Sequence, residues 1–127
     1  MDARARILLA DDYPGMLTAL SRLLHISYIV VGSVRTGAEA MEAAVRLQPD
    51  VLLIDMMLPD INGVEVCRRL VASASPVRVI IVTAADEPAV AQSALDSGAS
   101  AFVPKYRVGD DLVPAIERAV NARTASR

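Results

Sequence analysis

The chain has 127 residues, which is enough for one domain with a single buried core. Hydrophobic residues make up 54% and charged residues 22% of the chain, a balance that argues against disorder. The net charge of −2 and the scattered arginines argue against a surface that binds nucleic acid or an anionic membrane. The single cysteine excludes a disulfide framework within the chain.

The first half of the chain predicts three strands, which are short apolar runs, and two helices, which carry apolar residues at helical spacing. In order, we expect a strand at residues 7–10, a helix at 14–25, a strand at 28–31 closed by Gly32, a helix from Gly37 to the residues before Pro49, and a strand at 51–54. The first apolar run is too short for a leader or a membrane span, so we expect a cytoplasmic protein.

The second half continues the alternation of strands and helices. We expect a loop at 58–63, a helix with Val64, Cys67, Leu70 and Val71, a strand at 79–82, a helix capped by Asp86 and ended by Gly98, a strand at 101–103, and a helix from near Asp110. Continuous apolar strands are typical of parallel sheets covered by helices on both faces. The pattern therefore predicts a (βα)5 doubly wound α/β fold with the flavodoxin-like strand order 2-1-3-4-5. We expect one domain over 1–127, with its core at about 6–120 and with 121–127 as a tail or the start of a linker.

Polar side chains follow four of the predicted strands at the point where each strand ends. Asp11 and Asp12 follow the first strand, Asp55 the third, Thr83 the fourth and Lys105 the fifth. The carboxyl ends of parallel strands meet at one edge of a sheet, so these side chains should converge. Three carboxylates together require a cation, and a set of oxygen ligands favours Mg²⁺. The pattern therefore predicts a magnesium site with a carboxylate nucleophile, and with lysine and threonine to bind phosphoryl oxygens.

Each of these residues also has a plainer interpretation when it is taken alone. Asp11 and Asp12 could serve only as a helix cap, and Thr83 could simply end a strand. Lys105 is the only lysine in a chain that otherwise uses arginine, which favours a specific role for its compact ammonium group. We interpret His25 and Cys67 as structural, His25 at a helix end and Cys67 in the core.

Four motifs together resemble the receiver domain of two-component response regulators, which has the CheY-like fold. The motifs are Leu9-Ala10-Asp11-Asp12, Leu53-Ile54-Asp55-Met56-Met57-Leu58-Pro59 with Gly63, Val82-Thr83-Ala84, and Val103-Pro104-Lys105. Residues 98–105 resemble the NarL/FixJ-like branch of that family most. The Gly15-Met16 pair departs from the polar or basic residues usual in the first helix, which is a kinase-docking face in the family.

The resemblance implies a role for each site residue. Asp55 would be the phosphoacceptor, and Asp12, Asp55 and the carbonyl of Met57 would bind Mg²⁺, with Asp11 acting through water. Thr83 and Lys105 would contact the phosphoryl group. Phe102 would report the state of Thr83, and the small side chain of Ala84 would leave access open.

The resemblance also implies a signalling switch that is not an enzyme. A sensor histidine kinase would donate the phosphoryl group. The surface of helix 4, strand 5 and helix 5 would then change in conformation, and a homodimer could form through it. The output would be transcription regulation if a DNA-binding domain follows. Two alternatives stand beside this interpretation. A phosphatase of the haloacid dehalogenase type would need an acid where Met57 stands, and a degenerate receiver would bind partners without phosphorylation.

Overall fold

The computed structural model describes residues 3–125, in which five strands alternate with five α-helices. The strands are β1 (Arg6–Ala10), β2 (Ile29–Val34), β3 (Val51–Ile54), β4 (Arg78–Thr83) and β5 (Ala101–Pro104). The helices are α1 (Pro14–Leu24), α2 (Gly37–Leu47), α3 (Gly63–Ala72), α4 (Pro88–Asp96) and α5 (Val113–Ala125). All strand pairs are parallel, and the order β2-β1-β3-β4-β5 confirms the predicted topology.

Side chains of the central strands alternate between two buried clusters, one on each face of the sheet. On β1, Leu8 packs into the cluster covered by α2, α3 and α4, whereas Ile7 and Leu9 pack into the cluster covered by α1 and α5. Because successive side chains of a strand point to opposite faces, this alternation continues into the residues beyond each strand end. The sheet is therefore buried on both sides, and its carboxyl edge positions the site residues.

Strand β2 extends beyond Gly32, so the prediction that this glycine closes the strand was wrong. The register between β1 and β2 shifts between Ile7 and Leu8, which leaves Val31 as the extra residue of a bulge. A Cβ atom at Gly32 would lie 3.1 Å from the Leu47 side chain of α2. The glycine thus marks a close approach within a strand, which the sequence pattern alone does not distinguish from a strand end.

The helix ends differ from the predictions at two places. The residue that caps α4 is Glu87, not Asp86, and its side chain makes no capping hydrogen bond. The region before α5 forms a 3-10 turn at Lys105–Arg107 and a π turn at Val108–Leu112, so regular α-helix begins at Val113 instead of near Asp110. Helix α5 continues through residue 125, past the predicted core limit of 120, and residues 126–127 of the predicted tail lie outside the described residues.

Candidate functional site

The candidate site lies at the carboxyl edge of the sheet, where β1, β3, β4 and β5 end. Ala10 is in register with Ile54, and Thr83 is in register with Pro104. The Asp55 amide donates a hydrogen bond of 2.9 Å to the carbonyl of Ala10, which extends the ladder one residue beyond β3. The predicted site residues therefore come from neighbouring strands at the same level.

Three acidic side chains converge at this edge. Asp11 and Asp55 are only 2% and 6% exposed, whereas Asp12 is exposed to solvent. One carboxylate oxygen from each of the three lies within 4.8 Å of the others. Backbone amides orient the two buried carboxylates: Tyr13 donates to Asp11 Oδ1 at 2.9 Å, and Met57 donates to Asp55 Oδ1 at 3.2 Å.

The Lys105 ammonium lies between the two buried carboxylates. Its Nζ atom is 3.0 Å from Asp11 Oδ2 and 3.0 Å from Asp55 Oδ2. Burial alone would lower the pKa of Lys105, but the hydrogen bonds and charges of Asp11 and Asp55 more than offset that effect and raise the pKa. Lys105 therefore stays protonated and offsets one of the three negative charges.

The Thr83 hydroxyl is buried at the end of β4 without a hydrogen-bond partner. Thr83 is 1% exposed, and its Oγ1 atom and Arg78 Nε are the buried side-chain polar atoms without a partner among the side chains described, residues 3–122. A buried hydroxyl without a partner costs free energy that a valine of similar shape would not. Strand alternation places Thr83 on the same face of the sheet as Ile81 and Phe102, which pack in one cluster.

The segment between β3 and α3, residues 55–62, which we name the acceptor loop, packs closely where it meets α3. A Cβ atom at Gly63 would overlap the carbonyl oxygen of Asp55, so only glycine allows α3 to begin here. The Gly63 amide donates to the carbonyl of Met56 at 2.8 Å, and Asn62 Oδ1 accepts the amide of Val64 at 2.7 Å. Met57 is 68% exposed and stands at the rim of the site.

The donor set fits Mg²⁺ on its chemistry. The converging side-chain ligands are carboxylate oxygens, without nitrogen or sulfur, which is the preference of a hard cation. Two of the three carboxylates are buried, while the third is open to solvent, so an ion here would keep contact with water. One lysine does not balance three carboxylates, and a divalent cation would supply the missing charge.

Two residues near the site were not singled out by the sequence interpretation. The Arg35 guanidinium donates from Nη2 to the carbonyl of Asp12 at 2.9 Å. The Asp60 carboxylate accepts the amides of Gly37 and Ala38 at the start of α2. Both contacts join segments more than twenty residues apart, and local sequence patterns carry no signal for such pairs.

The other residues singled out in the sequence are Ala84 and Phe102, which were predicted for the site, and His25 and Cys67, which were interpreted as structural. Ala84 is exposed directly after Thr83, and Phe102 is partly buried against the cluster covered by α2, α3 and α4. His25 follows α1 and its Nδ1 atom lies 2.9 Å from the carbonyl of Arg22, outside the site. Cys67 is fully buried, and its thiol donates to the carbonyl of Ser97 at 3.6 Å.

Comparison with known proteins gives one consistent result. The family model of the response regulator receiver domain matches residues 7–117. The response regulator MprA of Mycobacterium leprae is 34% identical over 119 residues, covering 94% of this chain and 52% of the relative. The transcriptional regulatory protein NarL of Mycobacterium tuberculosis is 35% identical over 117 residues, covering 89% of this chain and 53% of the relative. The chain thus spans about half the length of these curated relatives.

Solved structures agree in fold with the sheet and helices described above. The signal receiver domain of NarL from Mycobacterium tuberculosis superposes with a TM-score of 0.89 at 31% identity, covering 94% of this chain and 98% of that one. A LuxR-family two-component response regulator from Aurantimonas sp. has a TM-score of 0.89 at 32% identity, covering 95% and 88%. Within residues 3–125, no helix has the length and apolar character needed to cross a bilayer.

Proposed function

Because this chain belongs to the response regulator receiver domain family of two-component systems, we propose that it accepts a phosphoryl group on Asp55 in a Mg²⁺-dependent reaction. The observation that carries the proposal is the convergence of three carboxylates, two of which pair with one lysine, beside a buried hydroxyl without a partner. Such a constellation offers a nucleophile, a place for a cation and two groups that can bind phosphoryl oxygens.

The metal would be held by Asp12, Asp55 and the carbonyl of Met57, with Asp11 contributing through water. When bound, Mg²⁺ would supply positive charge against the carboxylates and the phosphoryl oxygens. Asp12 is the acid that does not pair with Lys105, and it is exposed, so it is the carboxylate most free to take an ion from solution. Asp55 would then serve both as a ligand and as the nucleophile.

In the transfer step, this chain supplies the Asp55 carboxylate as the nucleophile, and the donor supplies the phosphoryl group. One Asp55 oxygen attacks the phosphorus of a phosphohistidine on the donor, the new O–P bond forms, and the N–P bond breaks with its electron pair left on the imidazole. Conversion of Asp55 to an acyl phosphate removes the carboxylate charge that now holds Lys105 at 3.0 Å. Lys105 can then contact a phosphoryl oxygen, and the Thr83 hydroxyl can donate to another.

The signal would leave the site through Thr83 and Phe102. Both side chains lie on the face of the sheet covered by α2, α3 and α4, and β4 and β5 are adjacent. Movement of Thr83 toward a phosphoryl group would vacate space beside Phe102. The relative populations of the conformations of the α4–β5–α5 surface would then shift. We place a homodimer contact on this surface, and transcription regulation as the output if a DNA-binding domain follows in the natural protein.

A sensor histidine kinase is the proposed donor, and acetyl phosphate offers a test that needs no kinase. Wild type incubated with acetyl phosphate and Mg²⁺ should gain the mass of one phosphoryl group, and Asp55→Asn should gain none. The gain should disappear with excess chelator. Absence of any gain in folded wild type would contradict the proposal and favour a receiver that binds partners without phosphorylation.

A further inference from the structure

The Asp60 side chain fastens the acceptor loop to α2 through two hydrogen bonds. Asp60 Oδ1 accepts the amide of Gly37 at 2.8 Å, and Asp60 Oδ2 accepts the amide of Ala38 at 2.9 Å. These two amides belong to the first turn of α2, where N–H groups have no partner within the helix. The hydrogen bonds of Ala38 and Gly37 lower the pKa of Asp60 to about 2, so the carboxylate is ionised at neutral pH.

The side chains beside these two hydrogen bonds are tightly packed. A Cβ atom at Gly37 would overlap the side chain of Ile61, the residue that follows Asp60. The start of α2 and the middle of the acceptor loop are thus in direct contact through both a polar and an apolar group. Since Gly37 lies against Ile61, α2 and this part of the loop are fixed as one unit.

Helix α2 does not need Asp60 for a conventional cap. The Thr36 side chain already accepts the amide of Glu39 at 3.1 Å, and Glu39 Oε1 accepts the amide of Arg35, the residue before the cap, at 3.1 Å. Asp60 therefore adds a second, long-range attachment to an already capped helix. Its distinguishing effect is on the loop that it belongs to.

The position of Asp60 in the loop gives that attachment a consequence for the site. Met57, whose carbonyl is the proposed backbone ligand, lies between Asp55 at the end of β3 and Asp60. Its own side chain is exposed and does not anchor it to the core. On either side of Met57, Met56 and Leu58 pack against the core cluster. The Asp60 contacts hold the far end of this short segment, next to Pro59, whose ring restricts the backbone.

We propose that Asp60 is a positioning residue, which holds the Met57 carbonyl in place for Mg²⁺ by fastening the acceptor loop to the first turn of α2. The inference rests on the proposed function, because it assumes a cation at Met57. Groups that orient metal ligands without touching the metal contribute substantially to metal affinity. The Asp60 carboxylate thereby links metal binding to the position of α2.

Two alanine variants separate positioning from ordinary helix capping. Asp60→Ala removes the hydrogen bonds that join the acceptor loop to α2. Thr36→Ala removes the side-chain cap at the same end of α2 and leaves the Asp60 contacts in place. Isothermal titration should show Mg²⁺ binding weakened by about tenfold in Asp60→Ala. Thr36→Ala should bind Mg²⁺ within about twofold of wild type, although both variants lower the urea midpoint of unfolding.

The outcomes distinguish this inference from the proposed function. Wild-type affinity in Asp60→Ala, or an equal loss in Thr36→Ala, would reduce Asp60 to a cap and overturn the inference while the proposed function stands. If wild type itself bound no Mg²⁺, the proposed function and the inference would fail together. Should Asp60→Ala fail to fold, Asp60→Asn keeps one acceptor oxygen and should show a smaller but measurable weakening, and wild-type affinity there would overturn the inference.

Discussion

Removing the charge of Asp12 should stabilise the metal-free protein, contrary to the usual effect of changing a site residue. The Asp12 carboxylate lies within 4.8 Å of oxygens from Asp11 and Asp55, and the ion pairs of Lys105 reach only those two. Asp12 thus faces two negative charges and one positive charge, a net repulsion equivalent to about one charge. Asp12→Asn removes that repulsion and keeps the size of the side chain.

The magnitude follows from the separation of the carboxylates. Two unit charges 4.8 Å apart repel by about 0.9 kcal/mol in water and by about 3.5 kcal/mol at an effective dielectric constant near 20. Asp12 is exposed, so the lower value applies, and we expect the free energy of unfolding to rise by about 1 kcal/mol. Magnesium at about ten times its Kd should raise the wild-type value by about 1.4 kcal/mol, and Asp12→Asn should lose most of that response.

Urea unfolding with and without Mg²⁺ measures both effects in one set of experiments. Glu117→Gln is the control, since it removes one exposed acid from α5, and it should leave the response to Mg²⁺ unchanged. A fall in stability for Asp12→Asn without metal would refute the account of charge repulsion. An undiminished response to Mg²⁺ in that variant would refute the assignment of Asp12 as a ligand.

Three further predictions concern the switch residue, the acceptor loop and the lifetime of the phosphorylated state. Thr83→Val replaces a buried hydroxyl without a partner, so the free energy of unfolding in urea should stay equal or rise by up to about 1 kcal/mol. In this variant, phosphorylation should no longer shift the ring resonances of Phe102. A clear loss of stability would mean that the hydroxyl has a partner. The pKa of Asp60 is lowered from 3.8 to about 2, so its contribution to stability is present above pH 3.8 and is lost as the pH falls through about 2. Asp60→Asn should therefore flatten the dependence of stability on pH in that window. Identical pH profiles for wild type and Asp60→Asn would contradict the Asp60 contacts. Neither Met57 nor Ala85, two residues beyond Thr83, offers an amide or acid to orient an attacking water, so phosphorylated Asp55 should decay slowly. The phosphorylated Met57→Asn variant should decay faster, and a wild-type lifetime of only seconds would contradict this.

The strand order and the convergence of the site residues could be predicted because they depend on patterns that survive in one sequence. Continuous apolar strands separated by helical periodicity define a parallel sheet, and Asp11, Asp55 and Lys105 each stand directly at a strand end. Once the strand order is known, their meeting follows from the geometry of parallel strands. The pairing of Lys105 with both buried acids confirms that these three side chains come together.

Other features depend on contacts between distant segments, which no local pattern encodes. The extension of β2 through Gly32 depends on a bulge against β1 and on the approach of Leu47 from α2. The contact of Asp60 with α2 joins residues 23 positions apart. The π turn before α5 has no distinctive composition, so Asp110 was an equally reasonable start for a regular helix.

The location of the phosphoryl group tests the central claim most directly. Borohydride reduction converts an aspartyl phosphate into homoserine, so wild type treated with acetyl phosphate and Mg²⁺ can be reduced, digested and sequenced by tandem mass spectrometry. We predict homoserine at position 55 and at no other acid of the site. Homoserine at position 11 or 12, or a phosphoryl group found on His25 instead, would contradict the assignment of Asp55 as the phosphoacceptor.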